Sequence, residues 1–447
     1  MIYTVSNIAK GRFSNTQRRE QLLLLVAAVF VAVTVSTLTV ARQVSHIIST
    51  EFVFNPLLVW SLTLWLGACL VGHIGLQRLR PDRDAILFPV VMLLCGWGTV
   101  TIWRLQGNYA LRQSVWICVG ICAMLVTVRW FHWLRALQNY PYVALLFGAL
   151  LTALTLIIGE SPSGSGPRLW LGFDRISWFG YGVFLQPSEL LKPLLVIFLA
   201  AYLSRHHTLL HLRIDGLARQ MPISFLTPLL VMWGLSMFIV IVQRDLGAGW
   251  ILYWGFLGIF FLGTRQWRYV VLGLALFLIG SALAYYASDL VRFRMQGWLN
   301  PWSDANGAYY QIVRSIQAMD SGGLLGAGIG HGAPDLIPLA HSDLIFPAIV
   351  NEWGKSGGVV LLLLSLIIVQ RIARIGFSQR AGSYLQLLVL GVGVFVAVQI
   401  GVNIGGVTGV LPLTGVPLPF VSYGGSAMAV GFVELGFCYG CPWNHSK

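Results

Sequence analysis

The residues of this chain best suited to bond-making chemistry stand close together: Arg292-Phe-Arg294, Trp298, Pro301-Trp-Ser-Asp304, Asn306-Gly307 and Tyr309-Tyr-Gln311. Arginines neutralise phosphate, a carboxylate takes a proton from an attacking hydroxyl, and aromatic faces stack on sugar rings; a sugar pyrophosphate would need all three. Each member also has a plainer reading. A loop aspartate is more often solvated, or caps a turn, here at Asn306-Gly307. A second constellation is Gln186-Pro-Ser-Glu189 with Lys192. Pro187 suits the first turn of a helix, and a spacing of three puts Glu189 and Lys192 on one face, within pairing reach. Such a pair either holds helices together or offers Lys192 as counter-charge to an anionic head group. Upstream, Ser161-Pro-Ser-Gly-Ser-Gly-Pro167 leads into Arg168 and Trp170; Arg168 could grip a phosphate with two hydrogen bonds, although interfacial Arg and Trp are ordinary membrane anchors.

Other groupings carry less. His206, His207 and His211 have the look of metal ligands, but they sit beside Arg205 and Arg213 in what reads as a solvated basic loop. Cys438 and Cys441 have a two-residue gap with no second pair to complete a zinc site, and all six cysteines lie in or beside apolar runs, so no disulfide framework is expected. Glu352, Lys355 and Glu434 fall inside apolar runs, where ionisable groups need partners or a polar cavity.

The elements that must position these residues are membrane helices. Of the 447 residues, 57% are hydrophobic and only 10% charged, far from the balance of a soluble domain. The apolar residues form long runs without the alternation of a barrel, as required where backbone hydrogen bonds must close within each segment. The fold class expected is all-α, a polytopic membrane bundle of about twelve helices beginning near Leu22, Pro56, Ala85, Ser114, Pro141, Pro187, Pro222, Leu246, Tyr269, Leu344, Tyr384 and Phe420. The run after Ser114 is short for a span, and Gln243-Arg-Asp245 allows only a tight turn. No cleavable signal peptide is read in the basic start and the long apolar run that follows it.

Twelve helices with an inner N-terminus place both ends in the cytoplasm, and the loops then assigned inside carry eighteen Lys and Arg against nine outside. The net charge of +13 therefore reflects topology rather than a nucleic-acid surface, since no block of basic residues could track a phosphate backbone. Acidic residues favour the outer segments, two of which are too long for mere connections: 160–186 and the large extracytoplasmic loop 287–343.

Several segments together resemble the FtsW/RodA/SpoVE family, also called the SEDS proteins. They are Arg168-Leu-Trp-Leu-Gly172, Gln186-Pro-Ser-Glu-x-x-Lys192, Gln243-Arg-Asp-Leu-Gly247, Arg292-Phe-Arg294 with Pro301-Trp-Ser-Asp304, Gly307-Ala-Tyr-Tyr-Gln311, Ser321-Gly-Gly-Leu-Leu-Gly326, His341-Ser-Asp343-Leu-Ile-Phe346, and the long run from Gly409 to Ser426. Their order is colinear with the family's. The resemblance implies a ten-helix core, here preceded by two extra helices in an N-terminal region (1–140) ahead of a core at 141–447. It implies a peptidoglycan glycosyltransferase of the bacterial inner membrane that joins lipid II units into glycan strands in division, elongation or sporulation, working with a class B penicillin-binding protein. Asp304 matches the family's essential loop aspartate and would be the catalytic base. Arg168, Glu189, Lys192, Arg292, Arg294, Gln311, His341 and Asp343 would contact substrate, and a divalent cation (Mg2+ or Mn2+) is the one cofactor such chemistry admits. A lipid II flippase and a non-catalytic scaffold for the penicillin-binding protein are the competing readings. The chain departs from the family at Pro338-Leu-Ala340, at Asn351-Glu352, and after Ser426, where Phe437 to Lys447 resembles a shortened or altered end.

Overall fold

The computed structural model describes every residue except 1, 46–54, 162–166, 179–180, 207–212, 215–216, 219–220 and 443–447. Fifteen helices are present among the described residues. In chain order they are α1 (Ile2–Ser45), α2 (Pro56–Leu79), α3 (Leu87–Leu105), α4 (Gly107–Arg129), α5 (Phe131–Ala136), α6 (Pro141–Ile158), α7 (Pro187–Arg205), α8 (Ile223–Val242), α9 (Leu246–Thr264), α10 (Trp267–Ala287), α11 (Asp289–Leu299), α12 (Tyr310–Ser321), α13 (Ile345–Phe377), α14 (Tyr384–Val407) and α15 (Gly425–Gly440).

Eleven of these are long and apolar enough to cross a membrane. The twelfth expected span is α15, whose 16 residues reach only about 24 Å, short of the ~30 Å hydrocarbon layer. It is buried over most of its length, so protein rather than lipid surrounds it. The run after Ser114, short by hydropathy, is a full span because α4 starts at Gly107 and takes in Arg112. Arg104 likewise belongs to the last turn of α3, and Gln106 alone separates the two helices. The bundle also carries two small hairpins that an all-α reading omits. β1 (Leu171–Trp178) pairs antiparallel with β2 (Tyr181–Leu185), and β3 (Arg213–Ile214) with β4 (Leu217–Ala218).

The chain forms two compact units. The first comprises residues 1–129, 297–371 and 403–443. Its centre is α3, buried along nearly its whole length. Trp97 of α3 meets Phe30 of α1 and Trp353 of α13, with ring centroids 5.2 and 5.1 Å away. At one end of these helices a buried carboxylate gathers charge. Glu20 takes Arg83 at 2.7 and 2.9 Å and His73 Nδ1 at 2.8 Å, linking α1, α2 and the turn before α3. Asp84 caps α3 by accepting from the N–H groups of Ile86 and Leu87, and also pairs with Arg371 of α13. These charges are affordable inside the protein because each has a partner; stripping one partner from such a pair costs about 3–5 kcal/mol.

The second unit comprises residues 130–296, 372–402 and 444–447. Here α7 is the buried centre. Tyr202 donates to the Phe225 carbonyl at 2.8 Å, and Gln243 donates to the Thr152 carbonyl at 2.7 Å, fastening α7 to α8 and α8 to α6. The tight turn expected at Gln243-Arg-Asp245 is real. Arg244 has a positive φ of 59°, and Asp245 accepts from Ala248 N–H at 2.9 Å to start α9. By contrast α10 buries only Gly273, as befits a helix facing lipid.

Candidate active site

In the second unit, the first turns of α7 build a polar knot from the Gln186-Pro-Ser-Glu motif. Pro187 starts the helix, its missing N–H costing nothing there. Glu189 and Lys192 are both buried and pair at 2.6 Å. Lys192 also donates to Gln399 Oε1 of α14 at 3.1 Å. Pro193 has no N–H to offer the Glu189 carbonyl, which loosens the helical ladder at this point. Gln186 bridges Ser188 Oγ (3.0 Å) and Asp245 Oδ2 (3.4 Å). Burial pushes the Asp245 carboxyl up and Glu189 adds to this, while the Ala248 N–H, Lys192 and Gln186 oppose it. Arg168, expected as a third member, is exposed ahead of β1 and makes no ion pair with Glu189 among the described residues. Arg292 pairs with Asp289 of its own helix at 3.3 Å and donates to the Tyr286 carbonyl at the end of α10 at 3.1 Å; Arg294 is half-buried two residues on.

In the first unit, Asp304 closes a short 3-10 turn, Pro301–Asp304, and is exposed. Its Oδ2 accepts the Ala308 N–H at 2.8 Å, and its main-chain carbonyl accepts from Gly307 and Tyr309. The carboxylate is folded so tightly over Gly307 that a Cβ there would meet Oδ1 at 2.4 Å. The turn-capping role and an accessible carboxylate therefore coexist. One bond fixes the orientation of the group and its exposure leaves it open to a substrate. Trp298 Nε1 donates to the Gly409 carbonyl at 2.8 Å, fastening this loop to the start of the Gly409-to-Ser426 run. Gln311 lies half-buried in the first turn of α12.

His341 and Asp343 sit on that same run. The His341 carbonyl accepts the Tyr423 N–H at 2.8 Å, and its ring stacks on Tyr109 of α4 at 4.7 Å and 10°. Tyr423 packs edge-on against Tyr109 at 4.7 Å, and the Arg112 guanidinium lies 5.6 and 6.0 Å from the two tyrosine rings. Burial holds His341 below the ordinary histidine range and pushes the Tyr423 hydroxyl up to about 12, with Arg112 pulling the other way. Asp343 receives the Ser342 hydroxyl at 2.9 Å, and its carbonyl accepts from Asn403, which also donates to Val416. A span beginning near Ser114 leaves Tyr109 and Arg112 in the preceding connection; the start of α4 at Gly107 makes them members of the His341 cluster.

A third feature holds the 287–343 loop in place. Helix α13 breaks at Gly354 (φ 74°), and the Ser321-Gly-Gly-Leu-Leu-Gly326 turn docks into the break. Lys355 N–H donates to the Gly323 carbonyl and Ser356 N–H to the Leu324 carbonyl, while Ala327 and Gly328 donate to the carbonyls of Asn351 and Glu352. A Cβ at Gly326 would lie 2.1 Å from the Glu352 carbonyl oxygen. The side chains of Asn351 and Glu352 complete the joint. Asn351 donates to the Ala318 carbonyl and Ser321 Oγ, and Glu352 pairs at 3.1 Å with Arg104, which also holds Asp335. The ionisable Glu352 inside an apolar run is thus satisfied by a partner one helix away. Among the remaining candidates, His206 Nδ1 lies 2.8 Å from the Tyr202 carbonyl, and His207 and His211 lie outside the described residues. No three His, Cys, Asp or Glu side chains gather in a way that could hold a metal ion among the described residues.

Residues 84–441 match the FtsW/RodA/SpoVE family, described as cell cycle proteins, so α1 and α2 precede the matched region. A Mycobacterium tuberculosis protein named "Peptidoglycan glycosyltransferase RodA" is 33% identical over 94% of this chain and 89% of its own length. A Coxiella burnetii protein named "Probable peptidoglycan glycosyltransferase FtsW" is 31% identical over 84% of this chain and 95% of its own. A chain from a solved peptidoglycan synthase complex shares the fold, with a TM-score of 0.65 and 24% identity over 80% of this chain and 97% of that one. With its motifs in family order on a multi-pass helical bundle, the chain belongs to the FtsW/RodA/SpoVE family.

Proposed function

We propose that this chain, a peptidoglycan glycosyltransferase of that family, polymerises lipid II into glycan strands, with Asp304 as the catalytic base. The observation that carries the assignment is an exposed carboxylate oriented by one backbone bond, on a loop anchored through Trp298. The acceptor sugar's hydroxyl loses its proton to Asp304 as its oxygen attacks the donor's anomeric carbon. The new C–O bond forms as the bond to the pyrophosphate oxygen breaks, and undecaprenyl pyrophosphate leaves with the electron pair. A single displacement of this kind inverts the donor's configuration. The leaving group needs no acid, only positive charge, for which Lys192, Arg292 and Arg294 are the proposed sources, with Arg168, Glu189, Gln311, His341 and Asp343 in supporting contacts. Any divalent cation, Mg2+ or Mn2+, would be carried by the substrate's own pyrophosphate, since the described side chains supply no cage for it.

The bilayer in question is the bacterial inner membrane, with both termini in the cytoplasm and 287–343 outside. The excess of basic residues in the loops thereby placed inside supports this orientation. A class B penicillin-binding protein is the proposed partner. Its support is the structural neighbour, whose complex is described as coordinating polymerization and crosslinking.

Purified protein, with and without that partner, should be given labelled lipid II in vesicles, and products separated by length. Glycan ladders are expected; lipid II crossing the bilayer without polymer would establish the flippase reading instead.

A further inference from the structure

The polymerisation reading leaves one outer feature unused: two leucines held out from the protein where α13 breaks. Leu324 and Leu325 are 74% and 86% exposed, Leu325 being the most exposed of the large apolar side chains among the described residues. They are not on a slack loop. The turn that carries them is fastened on both sides, with the N–H groups of Gly322, Gly323, Gly326, Ala327 and Gly328 all donating to main-chain carbonyls. Its Gly323 and Leu324 carbonyls receive Lys355 and Ser356. A turn fastened in this way holds the two side chains out rigidly; the N–H groups of Leu324 and Leu325 make no main-chain hydrogen bond among the described residues, so the leucine side chains alone enter hydrocarbon while their peptide groups stay at the wet interface.

The depth of the turn follows from α13. Lys355 and Ser356 are exposed, and Val359, Val360, Leu363 and Leu366 continue the same exposed face down the helix at three- and four-residue steps. From Lys355 to Arg374 in its last turn, α13 runs about 19 residues, or roughly 28 Å. Both residues are exposed, and that length matches a ~30 Å hydrocarbon layer. The stretch 345–354 then rises above the bilayer, and Lys355 stands at the level of the phosphates. Leu324 and Leu325, bonded through their turn to the backbone of Lys355 and Ser356, cap the lipid-facing stripe at that same level.

We propose that the Leu324–Leu325 turn is a membrane anchor of the large loop, its two leucine side chains seated in the upper acyl region of the leaflet facing 287–343, with Lys355 on lipid phosphate. Its occupant is lipid because the leucines continue a face that already meets lipid. The inference stands on the membrane-spanning fold and is independent of which reaction the chain catalyses.

A genetically encoded environment-sensitive fluorophore should be placed at Leu325 in the full chain, reconstituted in phosphatidylethanolamine–phosphatidylglycerol vesicles, with lipids brominated along the upper acyl chain as quenchers. Reference positions are Val359 on the lipid-facing stripe and Gln317 on the exposed face of α12. Quenching at Leu325 is expected to reach at least half of that at Val359 and several times that at Gln317. Quenching no greater than at Gln317 would overturn the proposal. So would shielding that appears only when a penicillin-binding protein is added, which would make the leucines a protein-docking surface.

Discussion

The knot around Lys192 and the turn around Asp304 are both polar constructions on an apolar scaffold, yet they are built on opposite plans. Lys192 and Glu189 are buried on the central helix of the second unit, bonded to each other and to Gln399. Asp304 is exposed in the first unit and spends one carboxylate oxygen on its own turn. Burial gives a charge a fixed position and a strong field, at the cost that removing a neighbour is severe. Exposure gives a weaker field but lets the group meet a substrate and exchange its proton with water. On this account the first region supplies static charge and the second supplies proton transfer.

The largest expected effect breaks the first half of that contrast. Lys192→Met should abolish polymerisation and leave Glu189 a buried charge without its cation, a loss of about 3–5 kcal/mol in stability. The double variant Glu189→Gln/Lys192→Met should recover folding, measured by thermal unfolding in detergent, without recovering activity. Recovery of both would show that the pair is structural only. Next in size is Gly326→Ala, where the new Cβ meets the Glu352 carbonyl oxygen at 2.1 Å on a backbone with φ of +90°. A loss of roughly 2–4 kcal/mol is expected, together with release of the loop that carries Asp304. An unchanged melting temperature would contradict the docking described for this turn.

A smaller effect concerns pH. Burial lowers the native pKa of His341 from 6.5, so the unfolded chain binds its proton more readily. The stability contributed by the neutral ring is present above about 6.5 and is lost as pH falls through the lower native value. Melting temperatures should therefore drop between pH 7 and 5, and His341→Phe, which keeps a ring against Tyr109, should flatten part of that slope. An identical acid slope in the variant would remove His341 from the account. Smallest is Trp298→Phe, which deletes one hydrogen bond to Gly409 and should cost about 1 kcal/mol, with a modest fall in rate as the loop loosens.

How much of this was legible in the sequence depended on the reach of each contact. Glu189 and Lys192 pair as expected because helix geometry alone sets a spacing of three. The turn at Asp304 was foreseeable from Asn306-Gly307, a local signal. Gln399 and Asp245 join the first knot from distant helices, and no local pattern announces them. Tyr109 and Arg112 were missed for a different reason. The polar residues at the start of α4 lower the hydropathy of that end, so apolarity alone begins the span near Ser114 and leaves its first turns as loop. Glu352 stands out as a charge in an apolar run, but its partner Arg104 lies at the polar end of a helix 248 positions away, and no local pattern links the two. The β1–β2 hairpin escaped because a register shift between Phe173 and Ser177 interrupts the alternation that would mark a strand.

The central claim is that Asp304 takes the acceptor's proton, and the amide isostere tests it most directly. In Asp304→Asn the amide oxygen can still accept the Ala308 N–H, so the turn persists while the base is gone. Single-turnover polymerisation of labelled lipid II should be measured beside lipid II binding on the same preparation. The account predicts a rate lower by roughly two to four orders of magnitude with binding retained. Polymerisation at a near-normal rate would contradict it, and would leave Asp304 as a turn cap alone.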